Sequence, residues 1–181
     1  MAFTSKVALL LLVSVLAWAQ AECTMQELLN DVAAHIIVVN EEVTDIIGVA
    51  EKNALAISGS RGESIAKGLS DIAKDISEGV MKLRKVSRDP LADEEAKLVV
   101  KALATYVRFQ KELLILVKRA HERHSMSPYF KAIGYSLGLL KRAIGDLDNY
   151  LLVVIASQKS YVHSQFGSLY VSLDVCIVVY A

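Results

Sequence analysis

Five stretches of the chain space apolar residues three and four positions apart, which gathers them on one face of an α-helix. The first begins after Thr24, where Thr24-Met25-Gln26-Glu27 has the form of a capping box. Its stripe is Met25, Leu28, Val32, Ile36, Val39, Val43, Ile46, Ala50 and Ile57. Ser58-Gly59-Ser60-Arg61-Gly62 interrupts it, and Ser60 with Glu63 predicts a second capped start. Ile65, Leu69, Ile72, Ile76, Val80 and Leu83 follow as the second stripe. Ser87-Arg88-Asp89-Pro90 then breaks the pattern, because proline is tolerated only at a helix start.

Asp93, Glu94 and Glu95 crowd the first turn of a third helix, where the helix dipole favours negative charge. Its stripe reads Leu98, Ala102, Tyr106, Phe109, Leu113, Leu116 and Ala120, and Lys118, Arg119, His121, Arg123 and His124 place cations at its end. Ser127-Pro128 opens a fourth helix with Ile133, Leu137, Leu140, Ile144, Leu147, Leu151 and Val154 inward. After a weak break at Ser157 to Ser160, a fifth is predicted from about Tyr161, through Phe166, Leu169, Leu173, Cys176 and Tyr180. Val171, Val175, Ile177, Val178 and Val179 are β-branched, but a lone terminal strand has no partner in this chain. Short connections favour antiparallel neighbours. The predicted fold is all-α: an antiparallel up-and-down bundle of about five helices, forming one domain over 22–181.

Residues Met1 to Ala21 read differently. Lys6 precedes the apolar run Val7 to Trp18, and Ala19-Gln20-Ala21 fits a small-x-small cleavage site, the pattern of a secretory signal peptide. The run falls short of the ~20 residues that a span needs. Tyr150 to Gln158 is uncharged but short, and Leu169 to Ala181 is apolar yet contains Asp174. No integral membrane insertion is expected, and no Asn-x-Ser/Thr sequon occurs. The chain is expected to be secreted, to the medium or the cell wall.

The 20 Lys+Arg balance 20 Asp+Glu. That balance argues against a nucleic-acid partner, since phosphate binding needs a basic surplus. Reactive motifs are equally sparse. His121 and His124 share a helix face, but no third ligand accompanies them, and Arg119 and Arg123 repel a cation. Gly59-Ser60-Arg61-Gly62 lacks the phosphate-loop pattern, and no Gly-x-Ser-x-Gly elbow is present. Gly134 and Gly138 allow close helix approach, but Lys141 and Arg142 weaken a membrane-dimer reading. No catalytic residue, metal or cofactor is expected, so the chain reads as non-enzymatic.

The stripes either pack as an ordinary core or hold an alkyl chain between helices. Ile36, Val39, Ile72, Ile76, Tyr106, Phe109, Leu140 and Ile144 are the candidate lipid contacts. Tyr106 and Tyr180 stand on apolar stripes and either offer hydroxyls to a lipid head or bond the backbone.

Three strings mark a resemblance: Asp93-Glu-Glu-Ala-Lys-Leu-Val-Val-Lys-Ala-Leu-Ala-Thr-Tyr-Val107, Glu112-Leu-Leu-Ile-Leu-Val-Lys-Arg-Ala120 and Leu137-Gly-Leu-Leu-Lys-Arg-Ala-Ile-Gly-Asp-Leu147. Together with the leader they resemble the fungal hydrophobic surface-binding and cell-wall galactomannoprotein family, nearest to the UV-induced secreted proteins of filamentous fungi. The resemblance implies a five-helix bundle, secretion, and binding of hydrophobic surfaces, fatty acids or other lipids, with no catalytic residues. Lacking a Ser/Thr-rich tail and sequons, this chain departs from the family where covalent wall attachment and mannosylation are concerned. The alternative is a secreted cell-wall or host-interaction protein with a closed, packed bundle and no lipid ligand.

Cys23 and Cys176 are the only cysteines. Secretion favours a disulfide, but an up-and-down path leaves Cys176 ~20 Å up the fifth helix from the end where Cys23 starts the first. A disulfide tolerates about 7 Å between α-carbons. The expectation is an unbridged pair, with Cys176 buried and reduced.

Overall fold

The computed structural model describes residues 25–45, 47, 59–86, 89–123 and 129–181. All regular structure among them is helical: α1 (25–45), α2 (Gly59–Val86), α3 (Asp93–Arg123), α4 (Phe130–Val154), a 3₁₀ turn (Ala156–Gln158) and α5 (Lys159–Tyr180). The leader, Cys23, the Thr24 cap and Ser127-Pro128 lie outside the described residues.

Helix directions alternate. Val39 of α1 packs on Gly68 of α2, and Leu28 on Gly79, so these two run antiparallel. Lys141 pairs with Asp174, and Tyr170 with Asp148, an antiparallel register for α4 and α5. Order around the bundle does not follow the chain. Starting from α1, the neighbours are α2, α4, α5 and α3, and a groove between α3 and α1 closes the ring. Consecutive α2 and α3 are therefore not ring neighbours. Just before α3, Leu91 donates its N–H to the Val154 carbonyl at 2.7 Å and ties this end of the chain segment to the end of α4.

The expected inward stripes of α2, α4 and α5 are all buried. In α1, Leu28 is only half-buried, and Leu29 and Ala33 point inward instead. α3 departs most. Leu98 is 54% exposed, while Phe109 and Leu116 are half-buried. The true inner face takes Val99, Leu103, Val107, Leu114 and Val117 as well. A helix packed between α1 and α5 buries a wider sector than one three-and-four stripe, so spacing alone chose the wrong edge of it. At the N-terminus of α3 the acidic turn behaves as expected: the Glu95 carboxylate accepts the Ala92 N–H at 2.8 Å.

The start of α2 also differs. The helix already includes Gly59–Gly62, so Ser60 is not its cap. Gly62 serves close packing rather than chain reversal, because a Cβ there would lie 2.8 Å from the Tyr129 Cβ. Gly62→Ala gains helix propensity but overpacks that contact, so urea unfolding is expected to show a net loss of about 1 kcal/mol. A gain in stability would show that Tyr129 yields freely.

The run Ala156–Tyr180 is, by length and composition, long and apolar enough to cross a membrane, which neither shorter stretch considered alone was. In the bundle only one face of it is buried. Val162, Phe166, Leu169, Leu173, Cys176 and Tyr180 are buried, while Val171, Val175 and Val178 remain exposed.

Candidate ligand site in the bundle interior

The inner face of α3 passes through Tyr106 and Gln110, one helical turn apart and both fully buried. Neither the Tyr106 hydroxyl nor either atom of the Gln110 amide has a hydrogen-bond partner. On α4, Asp148 is buried with Oδ2 accepting from the Tyr170 hydroxyl at 3.1 Å and Oδ1 unpartnered. α3 and α5 run parallel, pairing Leu114 with Cys176 and Val117 with Tyr180. The same offset sets Tyr106 beside the turn carrying Leu169 and Tyr170. Tyr106 on α3 thus lies near the Tyr170–Asp148 pair of α5 and α4, with Gln110 one turn further along α3, and Ser136 on α4 is buried as well.

Burial governs the electrostatics. It raises the Tyr106 phenol far above the usual tyrosine range, with the Tyr170 charge as a lesser cause. Tyr170 is raised by burial first and then by the charge and hydrogen bond of Asp148. Burial also lifts Asp148, against the Tyr170 hydrogen bond and the His163 charge, which lower it. No Lys or Arg whose side chain is described is buried. Each polar atom left unpaired in such a place costs about 1–3 kcal/mol.

Of the candidate lipid contacts, Ile36, Val39, Ile72, Ile76, Tyr106, Leu140 and Ile144 lie together in one continuous core. Phe109 does not. It is half-buried in the groove between α1 and α3, with the Arg108 guanidinium 4.7 Å over its ring. That groove has a volume of about 500 Å³, with Ile37, Phe109, Ile115 and Leu116 as apolar lining and Asn40 among them. The Asn40 Oδ1 is buried there without a partner. A second groove, about 520 Å³, separates α4 from α5. Gly138 faces open space in it, and a Cβ on Gly145 would lie 3.8 Å from the Tyr170 hydroxyl. Small residues therefore leave a way from solvent to Tyr170, and through Tyr170 to Asp148.

The two tyrosines singled out from the sequence part company. Tyr180 donates to the Val117 carbonyl at 2.7 Å, while Tyr106 bonds nothing. His121 stacks on Phe130 at 4.5 Å and meets Tyr180 edge-on at 5.0 Å, a packing role at the end of α3. His35 reaches Asp75 at 2.7 Å and ties α1 to α2.

Cys176 is buried, as expected, and its free thiol donates to the Leu114 carbonyl at 3.2 Å. Burial pushes the thiol up to about 11, against the Lys118 charge, which lowers it. At pH 8 it stays protonated, so alkylation by iodoacetamide is expected to be at least 100-fold slower in the folded protein than in urea. Equal rates would place Cys176 at the surface.

Sequence reasoning missed Gln110, Asp148 and Tyr170. One signal was available: Gln110 lies four residues after Tyr106 and three before Leu113, so the stripe runs straight through a polar side chain.

No family model matches the chain, and no curated protein matches it. In three dimensions it is similar to AfMP4p, whose crystal structure was solved in complex with palmitic acid. The TM-score is 0.75 at 13% identity, over 88% of this chain and 99% of that one. At that identity the likeness is one of architecture: this chain shares the helical fold of AfMP4p.

Proposed function

We propose that the protein is a secreted, non-enzymatic binder of fatty acids or related long-chain lipids, held between the helices of the bundle. The observation that carries this reading is Gln110, fully buried with both amide atoms unpaired beside the unpaired Tyr106 hydroxyl. A core meant only for packing gains by replacing such groups with apolar ones, whereas a ligand head satisfies them. The shared fold with a protein crystallised with palmitic acid supports the ligand class. An alkyl tail entering among Ile36, Ile72, Leu140 and Ile144 contributes ~0.8 kcal/mol per methylene buried. Entry requires helices to part, and the grooves at α1/α3 and α4/α5 are two of the places where the surface is already open. Secretion rests on the leader pattern, and placement in the fungal surface-binding family on the sequence resemblance.

A second reading draws on Val171, Val175 and Val178, which give α5 an exposed apolar edge suited to adsorption on hydrophobic surfaces. Displacement of a fluorescent fatty-acid analogue from the purified protein tests both. Saturable binding, displaced by long-chain lipids, is expected. No displacement by any lipid, together with no adsorption to hydrophobic beads, would leave the closed packed bundle as the correct account.

A further inference from the structure

The chemistry of the buried cluster restricts what head group it can take. Gln110 presents one unpaired acceptor (Oε1) and one unpaired donor (Nε2), and exchanging the two ends of the amide leaves that inventory unchanged. Tyr106 adds a hydroxyl that donates or accepts, and the Asp148 Oδ1 adds a further unpaired oxygen. An ionised carboxylate only accepts, so it leaves the Gln110 acceptor unsatisfied in the core. It would also bring a charge into a core in which no Lys or Arg with a described side chain is buried, while Asp148 is. A head that both donates and accepts, without charge, completes the set.

Building on the lipid-binding reading above, we infer that the Tyr106–Gln110–Asp148 cluster selects lipids with an uncharged, hydrogen-bond-donating head, a primary amide or an alcohol, over ionised fatty acids. The Gln110 amide pairs in both directions with a ligand amide, or accepts the proton of a ligand hydroxyl. Tyr106 serves the remaining lone pair or proton. The alkyl tail then lies along the apolar positions of α1, α2 and α4.

The test is competition at pH 7.5 against an uncharged fluorescent probe, 1-N-phenylnaphthylamine, with four ligands sharing a 14-carbon chain: myristamide, tetradecanol, methyl myristate and myristate. The ester is neutral but cannot donate, so it separates the need for a donor from the avoidance of charge. Myristamide and tetradecanol are expected to displace the probe at concentrations roughly tenfold or more below those of the ester and the carboxylate. In Gln110→Met that order is expected to collapse to within about threefold, and Tyr106→Phe to narrow it. Myristate binding as tightly as myristamide overturns the inference while leaving the lipid-binding reading intact. So does a preference that survives both substitutions. Failure of all four ligands to displace the probe overturns the lipid-binding reading itself.

Discussion

Truncating Phe166 to alanine is expected to lower unfolding stability by about 3–5 kcal/mol, the range for removing a fully buried aromatic ring from a packed core. Phe166 has no exposed surface and belongs to the hydrophobic core, one helical turn before Tyr170 on the same helix, with the two rings 6.4 Å apart. The comparison that gives the measurement meaning is Val178→Ala on the same helix. Val178 is 76% exposed, and its truncation is expected to change stability by no more than about 0.5 kcal/mol. Urea unfolding of the two variants therefore reads the orientation of α5 directly. A large cost at Val178, matching that at Phe166, would mean that the outer edge of α5 is covered in solution.

Gln110→Met is expected to do the opposite and raise stability by about 1–3 kcal/mol, because an unpaired amide gives way to an apolar side chain of similar length. Methionine adapts its rotamers to the space and has good helix propensity, so neither packing nor backbone opposes the change. The same substitution is expected to weaken binding of amide and alcohol lipids. Stability and binding moving in opposite directions is what separates a ligand-facing polar group from a structural one. A loss of stability on Gln110→Met would show that the amide has a protein partner in solution and would remove the basis of the site.

Much of the bundle was legible in the chain because the three-and-four stripes of α2, α4 and α5 all fall inside the faces that these helices bury. Ile65 to Leu83, Ile133 to Val154 and Phe166 to Tyr180 all point inward at the spacing read from sequence. α3 was harder because it is apolar around more than half its circumference. Leu98 and Leu103 compete for the same stripe, and only the positions of α1 and α5 decide that Leu103 is inside and Leu98 outside. Ring order was not legible either, since a six-residue link fits equally to an adjacent helix or to one across the bundle. The polar cluster escaped for a different reason. Searching for apolar periodicity skips Gln110 and Asp148 by construction, and their proximity depends on registers between α3, α4 and α5 that no local pattern encodes. Tyr106 and Tyr180 looked equivalent in sequence; only the carbonyl of Val117 distinguishes them.

On the proposed function, a lipid head meets Gln110 inside the bundle. Nuclear magnetic resonance of the ¹⁵N-labelled protein tests it most directly, by following the side-chain amide signals of Gln110 during titration with myristamide. Shifts are expected to be largest at that amide and to extend to the backbone of Tyr106, Asp148 and Tyr170. Shifts confined to Ile115 and its groove, or to Val171, Val175 and Val178 on the outer edge of α5, with the Gln110 amide unmoved, would contradict the account.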